Sequence, residues 1–108
     1  MELNKYQQEA VSTAIYGSGY TINYPILGLL GEAGELANKY KKVLRDDNGV
    51  LSSEKREELK SELGDCLWYI AALATDLDTS LDIIANDNLI KLRDRQQRNK
   101  IQGSGDNR

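Results

Sequence analysis

The sequence predicts an all-α protein, a bundle of four helices followed by a short tail. Three observations carry this. Apolar residues recur at three- and four-residue spacing over long stretches, no stretch alternates as a strand would, and Gly/Asp/Asn/Ser clusters divide the chain between the periodic segments. At 108 residues the chain is one domain with a modest core.

The first helix is expected over Asn4 to Tyr16, with Tyr6, Ala10, Val11, Ala14 and Ile15 as its apolar positions, ended by Gly17-Ser18-Gly19. After the connection Tyr20 to Tyr24, Pro25 suits the first turn of a second helix, where a missing N–H costs nothing. That helix runs to Arg45 and carries Leu27, Leu30, Ala37 and Leu44 at helical spacing. Asp46-Asp47-Asn48-Gly49 is a turn, and Ser52 or Ser53 caps the third helix, which carries Leu59, Leu63, Cys66, Ile70 and Leu77. A break at Asp78 to Ser80 precedes the fourth helix, with Thr79 as its expected cap, Asp82 as the capping acid and an end near Gln97. Residues 1–102 thus form the helical domain. The ending Gly103-Ser104-Gly105-Asp106-Asn107-Arg108 is expected to be a loop or a disordered tail.

Composition removes several function classes. A formal net charge of -3 lacks the basic footprint of a nucleic-acid binder, so no nucleic-acid polymer is expected as partner. The single cysteine, Cys66, forms no disulfide within the chain and reads as a small buried hydrophobe. No signal-like segment or long apolar run is present, so the expectation is a cytoplasmic protein without membrane contact. The absence of histidine excludes triad hydrolysis, the usual zinc sites and ferritin-like di-iron sites. Any metal must then be held mainly by oxygen, which points to magnesium, manganese or calcium.

Acids in a suitable pattern exist. Glu32 and Glu35 stand three apart on the second helix, and Glu62 and Asp65 three apart on the third. That spacing places each pair on one helix face, one turn apart. A short turn between the helices makes them antiparallel, so four carboxylates converge on one volume. Such a cluster is costly unless divalent cations neutralise it. Gly28, Gly31 and Gly34 recur along the same helix, and Gly64 precedes Asp65. Each interior glycine costs about 1 kcal/mol relative to alanine, so close approach of a backbone or a bulky ligand is the expected reason. Read alone, either pair also fits a solvated helix face.

Gly28-Leu29-Leu30-Gly31-Glu32-Ala33-Gly34-Glu35-Leu36, followed by Glu62-Leu63-Gly64-Asp65-Cys66-Leu67-Trp68-Tyr69, resembles the MazG-like nucleotide pyrophosphohydrolases, whose hallmark is Glu-x-x-Glu, a spacer and Glu-x-x-Asp. The opening Asn4-x-Tyr6-Gln7, the stretch Asn88-x-x-Lys91-Leu92-x-x-Arg95 and the glycine-rich ending extend the resemblance over nearly the whole chain. It implies a four-helix MazG-like bundle, assembled as a homodimer or a dimer of dimers, in which a partner chain often completes the pocket. It implies hydrolysis of a (deoxy)nucleoside triphosphate to monophosphate and pyrophosphate, with water attacking the α-phosphorus. Glu32, Glu35, Glu62 and Asp65 would be the catalytic metal ligands, holding Mg2+, or Mn2+ in its place, with more than one ion per site. One of the four acids would help deprotonate the water; which one stays open. Asn88, Lys91 and Arg95, on one face of the fourth helix, would bind phosphate and sugar, or else form a solvated basic helix end. Lys39 reads as an ion-pair residue or a phosphate contact. Trp68 and Tyr69 read as core, or as a border of the nucleobase, and Asn23 with Tyr20 and Tyr24 as base contacts. Asp106 and Arg108 read as a frayed end or as groups closing over a site.

Nucleotide-pool control, house-cleaning of damaged triphosphates and a guanine preference in a viral setting all fit this pattern. Two alternatives stand beside it. One is a non-catalytic helical interaction scaffold with a structural cation. The other is a narrower enzyme, dUTPase-like or a phosphoribosyl-ATP pyrophosphohydrolase.

Overall fold

Two 24-residue helices, α2 (Asn23–Asp46) and α3 (Ser53–Asp76), dominate the architecture. They form the expected antiparallel hairpin. Its turn uses left-handed backbone at Asn48 and Gly49, the residue types that tolerate it. The computed structural model describes the whole chain, residues 1–108. Besides this hairpin it holds α1 (Leu3–Val11), one 3-10 turn (Ser18–Tyr20) and α4 (Leu81–Gln97). α1 lies against α3 and also carries α4, whose contacts run mainly to α1.

Two boundaries differ from the sequence expectation for a clear local reason. α1 stops at Val11 instead of Tyr16. The hydroxyls of Ser12 and Thr13 donate to the carbonyls of Glu9 (2.6 Å) and Ala10 (2.7 Å). Those carbonyls would otherwise serve the next helical turn, so the side chains compete it away. Ile15, expected on an apolar helix face, is 98% exposed as a result. The cap of α4 is Ser80 rather than Thr79: its Oγ accepts from the Ile83 N–H at 3.2 Å. Thr79 still belongs to the end of α3, donating its N–H to the Ala74 carbonyl while Asp78 donates to Thr75. With Asp78 left-handed, this is a Schellman closure that carries an aspartate where glycine is usual. At α3 the expected serine cap holds, with Ser52 Oγ accepting from the Lys55 N–H at 3.1 Å.

The core is thin. Ala10, Ala71, Ala74 and Leu81 form its buried centre, with Tyr6 and Trp68 packed on it. The Trp68 indole N–H donates to the Ala10 carbonyl and to Thr13 Oγ1. A buried amide substitutes for missing apolar mass. Gln7 donates to Thr75 Oγ1 (2.9 Å) and to the Thr79 carbonyl (3.0 Å), and accepts the Leu81 N–H (2.8 Å). Asn4 accepts the Asp82 N–H at 3.1 Å, so α1 side chains satisfy part of the N-terminus of α4.

Much of the predicted apolar stripe of α2 is not covered. Leu27 is 69% exposed and Leu30 72%, and Leu44 and Ala37 also face outward, whereas Pro25 and Val43 are buried. The Cα radius of gyration is 16.8 Å, against about 13 Å for a compact domain of this length. A single chain is thus a hairpin with two helices leaning on one side, not a closed bundle. No helix is long and apolar enough to cross a membrane.

Candidate active site

The α2–α3 hairpin brings three of the four expected acids together. One carboxylate oxygen each from Glu32, Glu62 and Asp65 lies within 4.8 Å of the others. Glu62 is buried, Glu32 half-buried and Asp65 exposed, so the group forms the floor of an open site. Glu35, one turn on from Glu32, is exposed and stays outside this group, though its charge is felt at Glu32 and Lys39.

The electrostatics are those of a cluster short of positive charge. Contact with the Glu62 carboxylate, then burial and the charges of Asp65, Glu62 and Glu35, push the Glu32 carboxyl above its ordinary range. Glu62 is pulled the other way, first by Lys39, whose Nζ stands 2.7 Å from Oε1. Lys39 itself is held protonated by that contact. The remaining oxygen, Glu62 Oε2, is buried without any hydrogen-bond partner. An orphaned anionic oxygen facing two further carboxylates is unusual, because buried polar atoms are nearly always satisfied. A proton shared with Glu32 or a bound cation would satisfy it. With Mg–O at 2.0–2.1 Å, two ligands of one ion stand at most about 4.2 Å apart. The 4.8 Å spread exceeds that limit, so the three side chains would have to draw together to hold one ion. Cys66, half-buried beside the acids, is held as a thiol, first by burial and then by their negative field.

Of the four glycines near the acids, one has a clear structural reason. A Cβ at Gly28 would overlap the ring of Tyr69, whereas Gly31, Gly34 and Gly64 face open space in the single chain. Tyr69 stands one turn beyond Asp65, meets Trp68 edge-on at 5.0 Å and leans toward Tyr24 at 6.2 Å. Tyr24 in turn stacks on Tyr16. An aromatic row thus leads from the acids to the connection before α2, where Asn23 is exposed at the first turn.

The basic residues of α4 have another partner within the chain. Lys91 and Arg95 do share a face, and both reach Asp106: Lys91 Nζ at 3.0 Å and Arg95 Nη2 at 3.2 Å from Oδ1, the latter also 2.7 Å from the Asp106 carbonyl. Asn88 is exposed one turn before them. None of the three is hydrogen-bonded or ion-paired to Glu32, Glu35, Glu62 or Asp65 of the same chain. The tail is folded rather than a disordered end. Gly103 and Gly105 at positive φ reverse it, Arg108 donates to the carbonyls of Lys100, Ile101 and Gly105, and Arg98 donates to the Arg108 carbonyl. Sequence reasoning named Asp106 and Arg108 but had no signal for this pairing, because an exposed Gly-rich end is usually loose.

The tail contact is pH-sensitive. Lys91 first and Arg95 second hold the Asp106 carboxyl below its ordinary value of 3.8. A lowered carboxyl pKa contributes stability above the unfolded value and loses it as pH falls through the folded one. The Gly103 and Gly105 amide resonances are therefore expected to hold their shifts from neutral pH to about pH 4 and to move in stronger acid, as the carboxylate contacts are lost. Random-coil shifts already at pH 7 would contradict the closed tail.

The family model described as MazG nucleotide pyrophosphohydrolase domain matches residues 21–99, the span that contains all four acids and the α4 basic face. The Gene 37 protein of Mycobacterium phage L5 is 50% identical over an alignment of 114 positions that covers the whole of both chains. No solved structure matches the chain.

Proposed function

Because the chain belongs to the MazG nucleotide pyrophosphohydrolase family, which is metal-dependent and acts on nucleoside triphosphates, we propose that it hydrolyses a (deoxy)nucleoside triphosphate to monophosphate and pyrophosphate. Water adds at the α-phosphorus, the bond from that phosphorus to the bridging oxygen breaks, and pyrophosphate leaves. The observation that carries this reading is the three-acid group of Glu32, Glu62 and Asp65, with Glu62 Oε2 buried and unpartnered.

Glu32, Glu62 and Asp65 would hold magnesium or manganese, and Glu35, one turn along the same helix, would join them for a second ion. Bound there, the metal supplies charge neutralisation at the phosphates and makes a water more acidic. The chain's own part is positioning, which phosphoryl transfer needs more than covalent chemistry. Lys39 keeps Glu62 ionised and aimed at the site. Asn88, Lys91 and Arg95 would clamp phosphate and sugar, with a phosphate competing against Asp106 for the two cations. Asn23, Tyr20 and Tyr24 would border the base.

α4 leans on α1, and its basic residues pair with Asp106 and not with Glu32, Glu35, Glu62 or Asp65 of the same chain. A dimer or dimer of dimers, in which a partner's α4 completes the pocket, resolves this and covers Leu27 and Leu30. Sedimentation is expected at twice or four times the 12.1 kDa chain mass. A species of one chain at micromolar concentration would overturn the assembly.

The deciding experiment is pyrophosphate release from a panel of canonical and modified (d)NTPs. Release with magnesium or manganese, and its loss with chelator, is expected. The ranking of bases then separates nucleotide-pool control from house-cleaning. No release from any nucleotide by folded, metal-supplied protein would leave a helical scaffold as the better description.

A further inference from the structure

We propose that Asp76, the last residue of α3, is a positioning residue for the base end of the substrate, because a single carboxylate oxygen holds both the Tyr16 phenol and the strained turn that starts α2. The inference rests on the pyrophosphohydrolase reading above.

The strain is local and specific. Ile22 adopts φ 70 and ψ -52, and the Asn23 N–H donates back to the Thr21 carbonyl at 2.8 Å. That is a three-residue γ-turn with positive φ at its centre, a rare and strained form, here centred on a β-branched residue. Glycine would adopt it freely, and glycine stands at 17 and 19 in the same connection but not at 22. Such a conformation persists only where its surroundings over-determine it, and it concentrates at ligand sites. What holds it here is Asp76 Oδ2, which accepts the Ile22 N–H at 2.9 Å from 54 residues away.

The same oxygen accepts the Tyr16 hydroxyl, also at 2.9 Å. Tyr16 stacks on Tyr24 with ring centroids 4.8 Å apart and planes 20° from parallel. Asp76 thus ties together the two chain segments that carry this stacked pair, one before the Gly17-Ser18-Gly19 break and one after it. The pair forms a wall of a cavity of ≈ 340 Å³ lined by Ile15, Tyr16, Gly17, Tyr20 and Tyr24. That volume is at the lower end of small-molecule sites, and its lining is aromatic and apolar with an open mouth, Ile15 being 98% and Tyr20 62% exposed. A planar, stacking heterocycle suits such a wall.

The cavity is also at a suitable distance from the acids. Tyr24 and Glu32 stand eight residues apart on α2, about 12 Å along the helix at 1.5 Å per residue. That is the length scale separating a nucleobase from the phosphates of the same nucleotide. The Tyr24–Tyr69 contact makes the path between them continuous. The Tyr16 phenol, pushed up to about 12 by burial and then by its bond to Asp76, offers a spectroscopic handle on the contact.

The test uses the full chain with magnesium and the four canonical dNTPs. kcat and KM are measured for wild type, Asp76→Ala, Asp76→Asn, Tyr16→Phe and Ile22→Gly, with melting curves and ultraviolet tyrosine titrations beside them. Asp76→Ala is expected to raise KM for the preferred dNTP about tenfold or more and to flatten the kcat/KM ranking of bases, with kcat changed far less. Inhibition by inorganic tripolyphosphate, which has no base, should stay as in wild type. The Tyr16 phenol should ionise at a lower pH than in wild type in the same variant, its burial still holding it above the ordinary value. Asp76→Asn, which still accepts the Ile22 N–H, should recover part of the base ranking. Tyr16→Phe removes the phenol contact to Asp76 while keeping the ring, and should raise KM and blur the base ranking while still folding, so it decides the matter if Asp76→Ala unfolds. Ile22→Gly is the control: glycine holds the same turn without strain and keeps the N–H to Asp76, so the base ranking should stay as in wild type. Folded Asp76→Ala and Tyr16→Phe variants that keep the wild-type KM and base ranking would overturn the proposal and leave the pyrophosphohydrolase reading intact. A uniform fall in kcat for all bases, tracking lost melting temperature, would overturn it as well. Absence of turnover in wild type overturns both readings.

Discussion

Asp65→Asn is expected to lower kcat by about three orders of magnitude or more while leaving the metal-free protein as stable as wild type, or slightly more so. Metal ions at such sites contribute several kcal/mol of charge stabilisation, and each 1.36 kcal/mol is tenfold in rate. Asp65 is exposed and has no ion pair, so the amide costs no packing and breaks no bridge. Its charge is one of those that push Glu32 upward, so removing it relieves repulsion among the acids. The two-sided readout matters. In wild type, magnesium should raise the melting temperature by binding the folded state. In Asp65→Asn that increment should shrink sharply while the metal-free value holds. Normal turnover in the variant, or collapse of its fold, would mark Asp65 as something other than a metal ligand. Glu62→Gln is a less clean test, because it also strands Lys39.

Gly28→Ala is expected to destabilise the chain by about 1–3 kcal/mol, the usual range for overpacking. Helix propensity alone would favour alanine by about 1 kcal/mol, so the sign is set by the contact. The new Cβ would overlap the Tyr69 ring, which has little freedom to yield, held edge-on by Trp68 and flanked by Tyr24. Moving the ring opens the α2–α3 seam next to the acids, so turnover should fall along with stability. Gly31→Ala is the control. Its Cβ meets open space in the chain, and propensity should make a metal-free, substrate-free sample equal to wild type or more stable. Chemical denaturation of both variants checks this. A neutral Gly28→Ala would show that the Tyr69 ring gives way at no cost.

The positions of the acids were legible because helical geometry is periodic. A spacing of three puts Glu32 with Glu35, and Glu62 with Asp65, on one face whatever the rest of the chain does. The short Asp-Asn-Gly turn then forces α2 and α3 antiparallel, and the sequence alone implies that the two faces meet. The family pattern could be read for the same reason, since it consists of those spacings. Which carboxylates come closest together was not legible. Glu35 lies one turn from Glu32, but the hairpin aims Glu62 and Asp65 at Glu32 and leaves Glu35 at the rim.

Competition between local hydrogen bonds also lay outside the apolar pattern. Ala14 and Ile15 continue the periodicity of α1, but the Ser12 and Thr13 hydroxyls take the carbonyls that would have extended it. The α4 cap moved from Thr79 to Ser80 because the Schellman closure of α3 consumed one more residue. Contacts between residues far apart in sequence had no local signature at all. Gln7 capping α4, Asp76 gripping Ile22 and Tyr16, and Asp106 drawing Lys91 and Arg95 to the tail each join segments whose meeting depends on the packed helices. Periodicity, a property of neighbours along the chain, determined the helices and the acidic faces by itself. Pairing across the fold, set by which surfaces the thin core brings together, was decided only by the tertiary structure.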